Sequence, residues 1–201
     1  MQETELYKIK YDKIVLAVKE ILLAIGEDGN REGLKETPHR VAKMYLDETF
    51  VNVECEDDDI VEMLSKTFSN DTEDCNNIND MVIVKDIPLY STCEHHLVPF
   101  YGKAHIGYVP SDKVVGISKI ARLVEMISKR PQLQERITQL TADLLIKMID
   151  PKGVMVVIEA EHLCMSSRGV RKPGSKTVTS AARGCFMDDQ ATRSEFLSFI
   201  K

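Results

Sequence analysis

The densest reactive chemistry in the chain is the run Ser91-Thr92-Cys93-Glu94-His95-His96. Cys93 and His96 stand three apart, a spacing at which a tight turn aims both side chains at one ion. About seventy residues on, Glu159-Ala160-Glu161-His162-Leu163-Cys164 ends a stretch of strand formers. On a strand, His162 and Cys164 would project from the same face. Two thiolates and an imidazole make a borderline-soft site for which zinc is the commonest occupant. Cys93, His96 and Cys164 as three ligands would leave a tetrahedral position open for water, the catalytic arrangement. A closed structural site, with a further histidine as fourth ligand, is the alternative. Taken singly, each residue is better explained as packing: a buried cysteine behaves as a small hydrophobe. Together they favour a site, and the surplus histidines His95 and His162 suit proton transfer beside a metal.

Three basic pairs complete the inventory. Arg40 and Lys43 share one helical face at i and i+3, as do Lys119 and Arg122 near a helix start opened by Gly116-Ile117-Ser118, where anions are favoured. Arg168 and Arg171 lie in a loop just beyond Cys164. Any one of them alone reads as solvated surface charge; the clustering at a helix start and beside Cys164 favours a phosphate-bearing substrate, while spacing alone does not tie Arg40 and Lys43 to the other two pairs. Gln134-Glu135 opens a helix, where a carboxylate usually compensates the helix dipole. The alternative is an acceptor for the paired N–H groups of guanine.

The elements that must carry these groups follow from periodicity. Ile14, Val15, Val18, Ile21, Leu22 and Ile25 predict a helix with one apolar face, ended by Gly26 and Gly29. Thr37 is expected to cap a second helix, with Pro38 in its first turn. Glu54–Asp59 reads as an acidic loop, residues 60–68 as a short helix and Ser69–Asp80 as a linker. Strands are expected at 81–84, 101–109, 154–161 and 176–186. Between the second and third lie two helices, 118–129 and one begun by Pro131; a last helix covers 194–200. This predicts an α+β domain over 81–201 with an antiparallel sheet, behind an N-terminal helical region over 1–80.

Composition bounds the function. The 201 residues are 43% hydrophobic and 29% charged, enough for a packed domain. A net charge of −6 argues against a non-specific nucleic-acid binder. No apolar run approaches the roughly 20 residues that span a bilayer, so no membrane role is expected. The charged N-terminus lacks an export signal, and five cysteines without a disulfide framework point to a reducing cytoplasm. Cys55, Cys75, Cys185, His39 and His105 are expected to be free thiols, packing or surface.

Several of these segments in order resemble the GTP cyclohydrolase I family. They are Asn30-Arg-Glu-Gly-Leu34, Thr37-Pro-His-Arg-Val-Ala-Lys-Met-Tyr45, Ser91–His96, Gly116-Ile-Ser-Lys-Ile-Ala-Arg122, Arg130-Pro-Gln-Leu-Gln-Glu-Arg136, His162-Leu-Cys-Met165 and Arg168-Gly-Val-Arg171. The likeness runs from about residue 10 to the C-terminus; Gly29 departs from a family proline, at a turn. The resemblance implies the tunnelling fold, a four-stranded antiparallel sheet with two helices on one side. It implies a homodecamer of two stacked pentamers with active sites between subunits. It also implies conversion of GTP and water to formate and 7,8-dihydroneopterin triphosphate, the entry to folate or tetrahydropterin synthesis, with Zn2+ and no redox cofactor. By motif position, Cys93, His96 and Cys164 would hold zinc and His95 and His162 would move protons. Glu135, with Gln134 beside it, would anchor guanine. Arg40, Lys43, Lys119, Arg122 and Arg168 would hold the triphosphate and Ser118 the ribose side. Relatives of the fold that reduce a nitrile lack the Cys-Glu-His-His cluster, which counts against that activity.

Overall fold

The computed structural model describes residues 4–69 and 80–201. Most of the stretch expected as a linker, residues 70–79 with Cys75, therefore lies outside the described residues. The chain divides into two compact units, Met1–Val51 and Asn52–Lys201.

In the first unit, Thr4 caps α1 (Glu5–Ala24), its side chain accepting from the Tyr7 N–H at 3.3 Å. Ile14, Val15, Val18 and Leu22 of the predicted apolar face are at least half-buried, whereas Ile21 and Ile25 are exposed. α2 (Thr37–Lys43) runs into a π-helical turn, Met44–Thr49. Thr37 is the first helical residue of α2 rather than its cap; Glu36 holds the cap position. Tyr11 Oη lies 2.9 Å from His39 Nδ1, and Tyr7 Oη donates to Asp47 at 2.9 Å, joining α1 to the second helical stretch.

The second unit begins with α3 (Asp57–Leu64). Of the acidic run Glu54–Asp59 expected as a loop, residues 54–56 precede the helix but Asp57, Asp58 and Asp59 form its first turn, where the helix dipole favours carboxylates, and Asp59 accepts from the Glu56 N–H at 2.9 Å. Then follow β1 (Thr67–Ser69), β2 (Val82–Cys93), β3 (Pro99–Val109), β4 (Lys113–Val115), α4 (Ile117–Ser128), β5 (Pro131–Gln132), α5 (Gln134–Ile149), β6 (Gly153–His162), α6 (Leu163–Ser166), β7 (Lys176–Gly184), α7 (Cys185–Asp188) and α8 (Gln190–Phe199).

The expected four-stranded antiparallel sheet with two helices on one side is not what forms. The sheet has five strands in the order β5-β2-β3-β6-β7 and is mixed, because β5 pairs in parallel with the end of β2, Thr92 with Pro131 and Cys93 with Gln132. The cause is local. Pro131 does not start a helix but lies in extended backbone, and α5 begins three residues later. A separate ladder joins β1 to β4.

Both faces of the sheet are also partly covered. On one, Ile120, Leu123, Val124 and Ile127 of α4 and Ile137, Leu144 and Leu145 of α5 pack on Ala104, Ile106, Tyr108, Val154, Val156 and Ile158. Each fully buried Leu or Ile contributes about 1.5–3 kcal/mol. On the other, Phe186 and Phe196 of the C-terminal helices pack on Met155 and Val157, the alternate residues of β6. Gly102 shows how closely β3 and β6 approach: a Cβ there would lie 1.9 Å from the Glu159 carbonyl oxygen.

A bulge between Val84 and Ile87 interrupts the β2–β3 ladder. Asp86 sits there at φ 59°, and its N–H donates to Nδ1 of buried His105 at 3.1 Å. Burial holds the His105 imidazole below its ordinary pKa, against the pull of Asp86; Lys103 lowers it, Glu159 raises it, and Lys85 lowers it slightly. Folding thus favours the neutral form of His105. A histidine depressed on folding contributes stability that is complete above its unfolded value of about 6.5 and is lost as pH falls towards the folded value. Urea midpoints at pH 7.5 and 5.5 are expected to fall less in His105→Gln than in wild type. An equal fall in both proteins would assign the acid sensitivity to other groups.

Candidate metal centre and its surroundings

β2 delivers Cys93, which is 6% exposed, at the rim of the sheet. The chain then reverses in a tight turn: the Cys93 N–H donates to the Val98 carbonyl at 3.0 Å, and the His96 and Leu97 N–H groups donate back to the Cys93 carbonyl at 3.3 and 2.9 Å. Leu97 takes φ 51° to close it. This brings His96 Nδ1 to 3.8 Å from Cys93 Sγ. β6 ends at His162, and Cys164 lies in the single turn of α6. His162 and Cys164 are therefore not alternate residues of one strand. The helical turn sends Cys164 to the cluster, while His162 is directed elsewhere. One ligand atom each from Cys93, His96 and Cys164 lie within 4.8 Å of one another, the one such group among the described residues.

The donor set fits a metal ion. The Cys164 thiol is pushed up first by burial and next by Cys93 beside it. A thiol that resists ionising beside a second sulfur is what a divalent cation between them would relieve. Three ligands, with His96 exposed, leave room for a further ligand from solvent.

His162, two residues before Cys164, is held in a fixed pose of its own. Its ring stacks on Phe100, its partner across the ladder, with centroids 4.5 Å apart and planes 5° from parallel. Nε2 lies 2.7 Å from Oε1 of Gln134. Gln134, buried at 1% exposure, turns its amide nitrogen to the carbonyls of Ile158 and Thr177, both at 3.0 Å, and to Thr179 Oγ1 at 3.1 Å. Carbonyls cannot donate, so the amide nitrogen must face them, and Oε1 must accept from His162. Nε2 therefore carries a proton, and Nδ1 is the nitrogen left for exchange. Burial lowers the His162 pKa and the Glu135 carboxylate raises it, which puts Glu135 in electrostatic reach of the ring.

The remaining sequence candidates divide. His95 is exposed, its ring edge-on to His96 with centroids 6.2 Å apart. Glu135 is exposed on the first turn of α5, and Arg168 is near enough to Cys164 to favour its thiolate. Ser118, Lys119 and Arg122 lie on the first turns of α4, with no hydrogen bond or ion pair to the cluster; Arg122 lines a groove of about 310 Å³ between α4 and residues 87–90 of β2. Arg40 and Lys43 are exposed on α2 in the first unit. The sequence reading missed three groups: Phe100, Thr179 and the pair Glu94–Arg136. Arg136 grips Glu94 at both oxygens, 2.5 and 3.3 Å, and holds that carboxyl below its usual range. Phe100 and Thr179 become visible only once strand register is known; Arg136 lay inside a quoted motif without an assigned role.

Cysteine and histidine side chains gathered at a sheet rim, with a posed imidazole in electrostatic reach of the Glu135 carboxylate, are consistent with a metal-dependent active site. The chain belongs to the GTP cyclohydrolase I family, whose model matches residues 14–201. It is 55% identical over 195 residues to GTP cyclohydrolase 1 of Bacillus cytotoxicus, covering 96% of this chain and 98% of the relative. The proteins of the same description from Lysinibacillus sphaericus and Carboxydothermus hydrogenoformans are 57% and 56% identical over 190 residues, covering 94% of this chain and 95% and 94% of theirs.

Proposed function

We propose that this chain hydrolyses GTP at C8 of the imidazole ring, releases formate and recloses the product as 7,8-dihydroneopterin triphosphate, with zinc held by Cys93, His96 and Cys164. The observation that carries this reading is the Cys93–His96–Cys164 cluster beside His162 and Glu135. Bound there, zinc supplies a water acidic enough to act as nucleophile near neutral pH.

The protein's own groups do the rest. Glu135 accepts from the N–H edge of guanine, where a carboxylate pairs with two donors and a base carrying an oxo group in place of the amine would offer one fewer. Held through Nε2 by Gln134, His162 offers Nδ1 to protonate the purine ring and make C8 more electrophilic. His95, exposed and beside His96, serves the later proton transfers of ribose opening and reclosure. Lys119, Arg122, Arg168, Arg40 and Lys43 hold the triphosphate, which is not cleaved; their contacts act as remote binding energy that seats the purine. Ser118 contacts the ribose side. Gln134 serves the base-binding turn from below, its amide already engaged within the protein.

We extend the reading to assembly and place. Among the described residues, the outer edge of β7 and the outer side of β2 over residues 82–91, opposite its pairing with β3, carry no strand, which supports side-by-side joining of copies into pentamers and a decamer with sites at the seams. No helix among the described residues is long and apolar enough to cross a membrane, which is compatible with a cytoplasmic enzyme.

Incubation with GTP, following formate and the fluorescence of oxidised neopterin, tests the activity. Turnover is expected with zinc, is expected to disappear with a chelator, and is expected to return on adding zinc back. Chelator-resistant formate release would sink the metal assignment, and absence of formate the activity.

A further inference from the structure

The first turn of α5 carries three consecutive side chains, of which the outer two are tied to two different segments. Gln134 reaches His162, two residues before the ligand Cys164. Arg136 reaches Glu94, which stands between the ligands Cys93 and His96. Glu135 lies between them and is exposed. A backbone bond runs alongside, from the Glu94 N–H to the Gln132 carbonyl at 3.0 Å. Gln132 Oε1 accepts from Arg136 at 3.3 Å, and its amide nitrogen donates to the Ile127 carbonyl at 3.1 Å. One helical turn thus holds both ligand-bearing segments, which are some seventy residues apart in sequence.

We propose that Arg136 and Glu94 are positioning residues that lock the Cys93–His96 turn to the turn presenting Glu135, so that metal loading and purine binding strengthen each other. The proposal rests on the metal and guanine assignments made above. A bidentate guanidinium–carboxylate pair fixes orientation as well as distance, which a lysine could not do. Side-chain exposures of 46% and 30% mean the pair adds little to global stability. Its effect is therefore expected at the metal and the base rather than in unfolding. Outer partners that orient metal-bearing segments typically change affinity by about 10–100-fold.

The test is a double-mutant cycle of Glu94→Gln, Arg136→Met and the double variant, with Arg136→Lys as a milder change. Zinc affinity is read by competition with a chromophoric chelator. Binding of 7-deaza-GTP, which offers the same base edge but cannot ring-open, is read with and without zinc. In wild type, zinc is expected to tighten nucleotide binding. Each single variant is expected to bind zinc about 10-fold more weakly and to lose most of that tightening, with the double variant no worse than either single. Melting temperatures should hardly move, and Arg136→Lys should fall between. Wild-type zinc affinity and tightening in folded variants would overturn the proposal. Wild-type protein that bound no zinc would overturn the metal assignment instead, a separate result.

Discussion

Exchanging Cys93 for serine is expected to remove metal and turnover together. Cys93 is the buried member of the cluster, fixed at the end of β2 by backbone bonds on both sides of its turn, which holds its sulfur in one place. A serine hydroxyl is a far harder and weaker ligand than a thiolate for a borderline-soft ion. Without the ion, water loses its main route to nucleophilicity near neutral pH, and a drop in kcat of about 10³-fold or more is expected. Metal content by atomic absorption and formate release should fall in parallel. Full activity in metal-depleted Cys93→Ser would refute the ligand assignment. His96→Ala removes an exposed ligand and should weaken metal binding less, leaving activity that excess zinc restores.

Replacing Glu135 with alanine should separate base recognition from phosphate binding. Nothing in the protein engages the Glu135 carboxylate by hydrogen bond or ion pair among the described residues, although Gln134 and Arg136 on either side are both engaged. A carboxylate left unpaired on a turn this well tied is available to a ligand. Its loss is expected to raise the dissociation constant of 7-deaza-GTP by about 100-fold, the scale of a charge-assisted pair. Affinity for inorganic triphosphate should hardly change. Equal weakening of both would move Glu135 from base recognition to general electrostatics.

The Cys93–His96–Cys164 cluster was largely legible as a candidate metal site because its residues come in short local runs. Cys-x-x-His in a turn needs no long-range information, and two thiols without a disulfide framework point to a metal. The helix faces were legible too: Ile120, Leu123, Val124 and Ile127 recur at helical spacing and are all buried. Residues 85–93 were harder. Lys85, Asp86 and Pro88 interrupt the strand pattern, yet β2 continues through them, because a bulge absorbs Asp86 and a proline is tolerated on a strand whose outer side is unpaired there. β5 was invisible: two residues, one of them proline, carry no strand signature, and Pro131 reads equally well as a helix start. That ambiguity alone turned a mixed five-stranded sheet into an antiparallel four-stranded one. The hold of Gln134 on His162 was hidden for another reason, since it joins residues 28 apart that only the packing of α5 on β6 brings together.

The two-residue strand β5 also acts as a terminator. Among the described residues, β5 is what lies on the outer side of β2, at Thr92 and Cys93, so a strand docking along β2 from outside would have open backbone up to Ser91 and would then have to stop. An incoming chain is thereby halted one residue short of Thr92 and cannot zip past the cysteine. Whatever follows that halted strand must peel away at the mouth of the metal turn. β5 thus sets where a docked neighbour ends and leaves the last residues of β2 to the site.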